Sequence, residues 1–135
     1  MNAQTYLFFD GCCEEAIEFY VEVFGAELKF LLRYQDGPKE LMPAGWENRV
    51  FHATLALGET MLNLSDAAEN GSRFASFALL VHVDTAEIAE RVFELLRANG
   101  DVKVPLAPNF WALRYGIVKD RFGITWKIQA NRPAD

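Results

Sequence analysis

The strongest constraint on this chain is a pattern that occurs twice. An apolar strand-like run, an amphipathic helix and a stopping glycine fall at Tyr6 to Phe9, about Cys13 to Phe24, and Gly25. The same order returns at Phe77 to Val83, from Asp84 to about Ala98, and Gly100. The two glycines stand 75 residues apart, and three more strand-like runs belong to each copy. One such unit exposes one face of a small sheet, so two units must pair to bury it. The expected fold class is therefore α+β, with two paired βαβββ modules forming an open, concave mixed sheet and the helices outside. At 135 residues the chain fits a single domain, 1–135. Within it we expect a first module over 4–65, a polar linker over 66–74, a second module over 75–130 and a loose tail over 131–135.

Local periodicity supports each element. Ala16, Phe19, Tyr20, Val23 and Phe24 share one helical face, with Glu14, Glu15, Glu18 and Glu22 largely off it. In the second helix Ile88, Val92, Leu95 and Leu96 form the buried stripe, and Asp84-Thr85-Ala86-Glu87 predicts a capping box with the acid at the cap. Leu28, Phe30, Leu32 and Tyr34 alternate with polar residues as in a half-solvated strand. Val50 to Leu57 and Thr60 to Leu64 flank Gly58-Glu59, a two-residue turn with glycine first. That turn sets Leu57 opposite Thr60 and Thr54 opposite Asn63, which puts His52 on the face of Asn63. Val102 to Leu106 is a strand broken by Pro105 and Pro108, followed by strands from Trp111 to Val118 and Ile124 to Gln129. Residues 36–48 form a loop that carries Leu41, Met42 and Trp46, apolar enough to cover a pocket mouth or a partner subunit.

Composition narrows the function. Eleven Phe, four Tyr and three Trp within a 51% hydrophobic chain can build a core, which excludes disorder. A net charge of −6 disfavours nucleic acid and anionic membrane as partners. No apolar run approaches the ~20 residues of a membrane span, and the opening MNAQTYLFFDG has no basic signal-peptide region. The only cysteines, Cys12 and Cys13, are adjacent, poor geometry for a disulfide. The expected location is cytoplasmic.

Three segments carry a resemblance: YLFFDGCCEEAIEFYVEVFGAEL (6–28), FHATLALGETMLNLSD (51–66) and FWALRYGIVKDRFGITWKI (110–128). With the second strand–helix unit they make nearly the whole chain similar to the vicinal-oxygen-chelate superfamily, the glyoxalase/bleomycin-resistance/dioxygenase fold. The ending DRFGITW, with Trp126 three residues after Gly123, resembles the PhnB-like branch. The resemblance implies paired βαβββ modules and a homodimer. It also implies four metal-ligand positions, which fall here on Thr5, Asn63, Ala78 and Lys127. Neutral Thr and Asn, a bare Ala and a cationic Lys are not a normal set for a divalent ion. A site without metal or other cofactor is expected. PhnB-like proteins have also carried a ubiquinone-methyltransferase label, but no Gly-rich strand-to-helix turn accompanies it here.

His52 and His82 are the only histidines. His52 is a candidate ligand contact or general base, or else a half-buried histidine satisfied by a neighbour. His82 shares a face with Ala78 and Leu80 near a strand end, which suits a structural role. Lys127 either attracts an anionic ligand or snorkels at the surface. Trp111 and Tyr115 form an aromatic wall with Arg114 nearby on the opposite parity, for a planar or anionic small molecule or for core or interface packing. Phe122 and Trp126 read as core or interface. The helix N-terminus favours reactive thiols at Cys12 and Cys13, but Glu14 and Glu15 oppose it. The expected function is binding of a small organic ligand flanked by Thr5, His52, Asn63, Lys127 and Trp111. One alternative is a metal-dependent lyase or isomerase of glyoxalase type, in which His52 and His82 converge with a carboxylate. Another is a dimer whose concave faces are filled by Phe and Trp.

Overall fold

The computed structural model describes residues 1–67 and 72–133. It has two compact units, Met1–Ser72 and Arg73–Asp135. The first contains β1 (Thr5–Phe9), α1 (Cys13–Phe24), β2 (Glu27–Arg33), two short 3-10 turns (Tyr34–Asp36 and Lys39–Leu41), β3 (Val50–Leu57) and β4 (Thr60–Asp66). The second contains β5 (Leu79–Val83), α2 (Ala86–Arg97), β6 (Asp101–Ala107), β7 (Ala112–Lys119) and β8 (Thr125–Asn131). Each unit holds a four-stranded, unclosed mixed sheet, ordered β1-β4-β3-β2 and β5-β8-β7-β6. The first strand of each runs parallel to the last, and the other pairs are antiparallel. The repeated sequence pattern is thus a repeated topology.

One face of each sheet is the core. Cys13, Ala16, Ile17, Phe19, Tyr20 and Val23 of α1 are buried, as are Leu7, Phe9, Ala53, Leu55, Leu62 and Leu64 of the strands it covers. Gly25 adopts φ 66° and returns its N–H to the Val21 carbonyl, ending the helix in the left-handed cap that glycine favours. In the second unit Ala89, Val92, Phe93 and Leu96 line the buried side of α2. Phe93 replaces the expected Leu95 and Ile88, both only half-buried, because its ring lies over Gly116 of β7. A Cβ on Gly116 would come 2.8 Å from that ring and 2.9 Å from the Leu106 Cα.

Several boundaries differ from expectation. β5 begins at Leu79, so Phe77 and Ala78 precede it. The cap of α2 is Thr85, whose hydroxyl accepts from the Ile88 N–H at 3.1 Å, rather than Asp84. Pro105 does not break β6. It sits within a register shift, between Val104 and Ala107, on an edge strand, where a missing N–H is tolerated. After α2 the left-handed residue is Asn99 (φ 59°). Gly100 is required for space, since a Cβ there would meet the Lys119 carbonyl at 2.5 Å. Trp111 lies just before β7.

Asp66 belongs to β4 and not to a linker, and residues 68–71 of the proposed linker lie outside the described residues. Its buried carboxylate accepts from Cys13 N–H and Val50 N–H, both at 2.9 Å, and its carbonyl accepts from the Tyr34 hydroxyl at 2.7 Å. One side chain thereby ties the start of α1 to the start of β3. Asp120 plays a similar part in the β7–β8 turn. It accepts from Phe122 N–H and Ile124 N–H with one oxygen and from the Trp126 indole at 2.8 Å with the other. Trp126 is core, 1% exposed.

Candidate functional site

The face of each sheet opposite its helix carries the polar and aromatic chemistry. In the first unit Tyr6 pairs with Asn63, Asn63 with Thr54, and Thr54 with Phe30, so these four share one side. His52 is two residues from Thr54 on β3 and joins them. Their polar atoms form a continuous row. Tyr6 Oη lies 2.7 Å from His52 Nδ1, and His52 Nε2 lies 3.2 Å from Thr54 Oγ1. Thr54 donates to Asn63 Oδ1 at 3.0 Å, and Asn63 Nδ2 donates to Gln4 Oε1 at 2.8 Å.

The row has a direction. Threonine has one hydroxyl proton, and Thr54 gives it to Asn63. Its oxygen therefore accepts from His52, whose Nε2 carries the hydrogen. In a neutral imidazole the other nitrogen is an acceptor, so Tyr6 donates to His52 Nδ1. This assignment follows from the orientation of the Asn63 and Gln4 amides, in which Asn63 Nδ2 donates to Gln4 Oε1. Tyr6 keeps its proton: burial raises its pKa above the ordinary phenol value, and a hydrogen bond with Ser65 opposes this less strongly.

Aromatic rings border the row. Tyr6 stacks on Phe8 with centroids 5.1 Å apart, and His52 lies 5.5 Å from Tyr6 and 5.8 Å from Phe30. Phe8 and Phe30 are 50% and 51% exposed. Rings this exposed around a polar row whose middle members, His52, Thr54 and Asn63, are half-buried form a surface that can take a planar molecule edge-on to the polar atoms and face-on to the rings.

The second unit repeats the arrangement with other residues. His82, Gln129 and Tyr115 are register partners, as are Leu80, Lys127 and Ile117. The Trp111 indole N–H donates to Gln129 Oε1 at 3.3 Å, and Gln129 Nε2 donates to Asn131 Oδ1 at 2.7 Å. His82 Nδ1 lies 3.1 Å from the same oxygen and must donate to it. Trp111 meets Tyr115 edge-on at 5.2 Å and Phe110 at 4.8 Å.

Of the residues expected to flank one ligand, His52 and Asn63 come together on the first sheet. Lys127 stands on the second, where Trp111, just ahead of β7, reaches Gln129. Thr5 does not belong with them. It pairs with Leu62, itself in register with Leu55, so it lies on the helix side of the sheet. A one-residue slip reverses the face of a strand, and the residue that reaches Asn63 from this end is Gln4. Arg114 pairs with Ala130 and reaches Glu90 of α2 at 3.1 Å, on the helix side away from Trp111 and Tyr115. Tyr6, Phe8, Thr54 and Gln4 were not anticipated as site residues. The alternation in QTYLF signalled them, since Gln4, Tyr6 and Phe8 share a parity.

The superfamily's metal can be tested against these donors. The first row offers one imidazole with both nitrogens engaged, plus hydroxyls and amides engaged with one another. The second offers an imidazole, two amides and, on the same face, an ammonium. Neither includes a carboxylate or thiolate, and among the described residues no three His, Cys, Asp or Glu side chains form a group able to hold an ion. The donor set does not fit a divalent cation.

The thiols are unsuited to nucleophilic chemistry. Burial pushes the Cys13 thiol far above its ordinary pKa, and the negative charge of Asp66 adds to it. Cys12 shifts the same way for the same causes, burial first. In the 36–48 loop, Trp46 packs edge-on against Tyr34 at 5.3 Å, with the Arg49 guanidinium 4.3 Å above its ring. Trp46 thus covers its own unit, whereas Leu41 is 58% exposed. No helix among the described residues is long and apolar enough to cross a membrane.

Comparison with known proteins places this geometry. The chain is 31% identical to Protein YjdN of Escherichia coli (strain K12), over 95% of this chain and 94% of that protein. The solved structure of PA1353 from Pseudomonas aeruginosa matches with a TM-score of 0.88 and 32% identity, covering 98% of this chain and 99% of the other. A PhnB protein from Bacillus cereus, which bears a provisional 3-demethylubiquinone-9 3-methyltransferase name, matches with a TM-score of 0.81 and 28% identity, covering 96% and 99%. The resemblance to the PhnB-like branch holds in these neighbours. A family model matches residues 4–128, and the chain belongs to the Glyoxalase/Bleomycin resistance protein/Dioxygenase superfamily.

Proposed function

We propose that this protein binds a small organic molecule on the open face of its first sheet without using a divalent metal. The observation that carries the reading is the row Tyr6–His52–Thr54–Asn63–Gln4, bordered by the exposed rings of Phe8 and Phe30. A polar row that satisfies itself stays ordered while presenting its remaining lone pairs and N–H groups. Such a surface recognises a ligand without first having to rearrange. Binding, sequestration or resistance fits better than turnover, because no activated nucleophile accompanies the row. A homodimer is in keeping with the exposed apolar side chains of both sheets, and a cytoplasmic location with two free cysteines.

The alternative of a glyoxalase-type lyase with relocated ligands gains nothing here. The hydrogen-bond partners of His52 are Tyr6 and Thr54 and that of His82 is Asn131, none of them a carboxylate. We do not extend the methyltransferase name to this chain. The turn from β1 to α1 is Asp10, Gly11 and Cys12, without the glycine-rich loop that a nucleotide-like cofactor needs.

The test is a thermal-shift screen of planar aromatic fragments against the full chain in the presence of EDTA. A specific ligand at a hundred times its Kd stabilises the fold by about 2.7 kcal/mol. We expect hits whose shift disappears in His52→Ala. Hits that shift His52→Ala equally would place binding elsewhere.

A further inference from the structure

The direction of the hydrogen-bond row limits what the face can hold. Tyr6 spends its proton on His52, and Thr54 spends its own on Asn63. Toward a ligand, the Thr54 oxygen presents a lone pair only, and the Tyr6 oxygen presents the lone pair that its hydrogen bond with Ser65 leaves. The donors that remain within the row are amide N–H groups at the far end, on Asn63 and Gln4. Among the described residues, the row and the aromatic contacts around it are made without Lys, Arg, Asp or Glu. A carboxylate or phosphate laid against Tyr6 would set its negative charge against lone pairs, with no cation within the row or its ring contacts to offset it. A neutral molecule with an O–H or N–H at that point would find an acceptor.

The geometry points to an uncharged aromatic hydrogen-bond donor as the ligand class, with its ring on Phe8 and Phe30 and its O–H or N–H directed at Tyr6 Oη. This inference rests on the proposed binding face and adds the polarity with which that face selects. His52 is a positioning residue in it, because it fixes which way the Tyr6 proton points.

Three probes of one shape separate the possibilities: 2-naphthol, 2-methoxynaphthalene and 2-naphthoate. Each is titrated into the full-length protein at pH 7.5, following the backbone amide and His52 imidazole resonances by NMR. We expect saturable shifts at residues 6, 52, 54 and 63 with 2-naphthol. Its Kd should be about ten-fold lower than that of either other probe, the worth of one hydrogen bond near the upper end of its usual range. The His52 spectrum should report the Nε2–H tautomer. In His52→Leu the Tyr6 hydroxyl is released to donate outward, so the preference for naphthol over naphthoate should fall to about one, with Tyr6 still present. Equal or tighter binding of naphthoate, equal binding of the methoxy compound, an Nδ1–H tautomer, or an unchanged preference in His52→Leu would each overturn the inference while leaving the face as a site. Shifts of those same resonances with protein concentration alone would show a second copy covering the face. That result, or the absence of saturable shifts with all three probes, would overturn both the inference and the site on which it rests.

Discussion

At the scale of single residues, two buried carboxylates do more for this structure than its many surface ions. Asp66 joins the α1 N-terminus to the start of β3 through two charge-assisted bonds, in a place where water cannot replace them. Removing it leaves the Cys13 and Val50 N–H groups without that acceptor. We predict that Asp66→Ala lowers unfolding stability by ~3 kcal/mol or more, as read by urea denaturation of the full chain. By contrast Lys103→Ala, which breaks an exposed pair with Asp101, should leave the urea midpoint almost unchanged. In the sequence Asp66 begins the run DAAENGSR and reads as the first residue of a polar linker. Nothing local marks it as buried, because its partners lie 53 and 16 residues away. Trp126 was legible as core, while the Asp120 that satisfies its indole was hidden in an ordinary turn motif.

At the scale of elements, helices were read more accurately than strand faces. The i, i+3, i+4 stripe of α1 gives its buried side directly, and both bounds of that helix match the expected ones. Strand parity is less forgiving. Both faces of β1 carry aromatic rings, so the alternation of Gln4, Tyr6 and Phe8 against Thr5, Leu7 and Phe9 is a faint signal, and Thr5, which the resemblance set beside the ligand, lies on the helix side. The β3–β4 hairpin was legible because Gly58-Glu59 fixes its register, and Thr54 does pair with Asn63. The cap of α2 shows the same lesson. A carboxylate at Asp84 and a hydroxyl at Thr85 both suit an N-cap, and only the backbone decides between them. Thr85 has the extended φ and ψ of a cap and Ile88 N–H in reach. Thr85→Ala should cost about 1 kcal/mol of stability, whereas Asp84→Ala should cost a few tenths at most. Thermal melts of the two variants provide the comparison.

At the scale of the whole molecule, the duplication explains how one architecture can keep its shape while its chemistry changes. Each unit keeps an apolar face for its helix and leaves the other face open to substitution, and here both open faces carry amides, hydroxyls and rings. The resemblance named the superfamily, and its expected metal positions were the informative part. Asn63 and Lys127 do stand on open faces, and neither supplies a metal ligand of the usual kind. Ligand polarity was not legible in the sequence, because it depends on which proton each of four side chains gives away, a property of contacts and not of spacing. The most direct test is a calorimetric titration of the EDTA-treated full-length protein with Zn2+. No one-to-one uptake is predicted, with any weak heat unchanged in His52→Ala. A single tightly bound ion per chain, lost in that variant, would contradict a first-sheet site built for an organic ligand without metal.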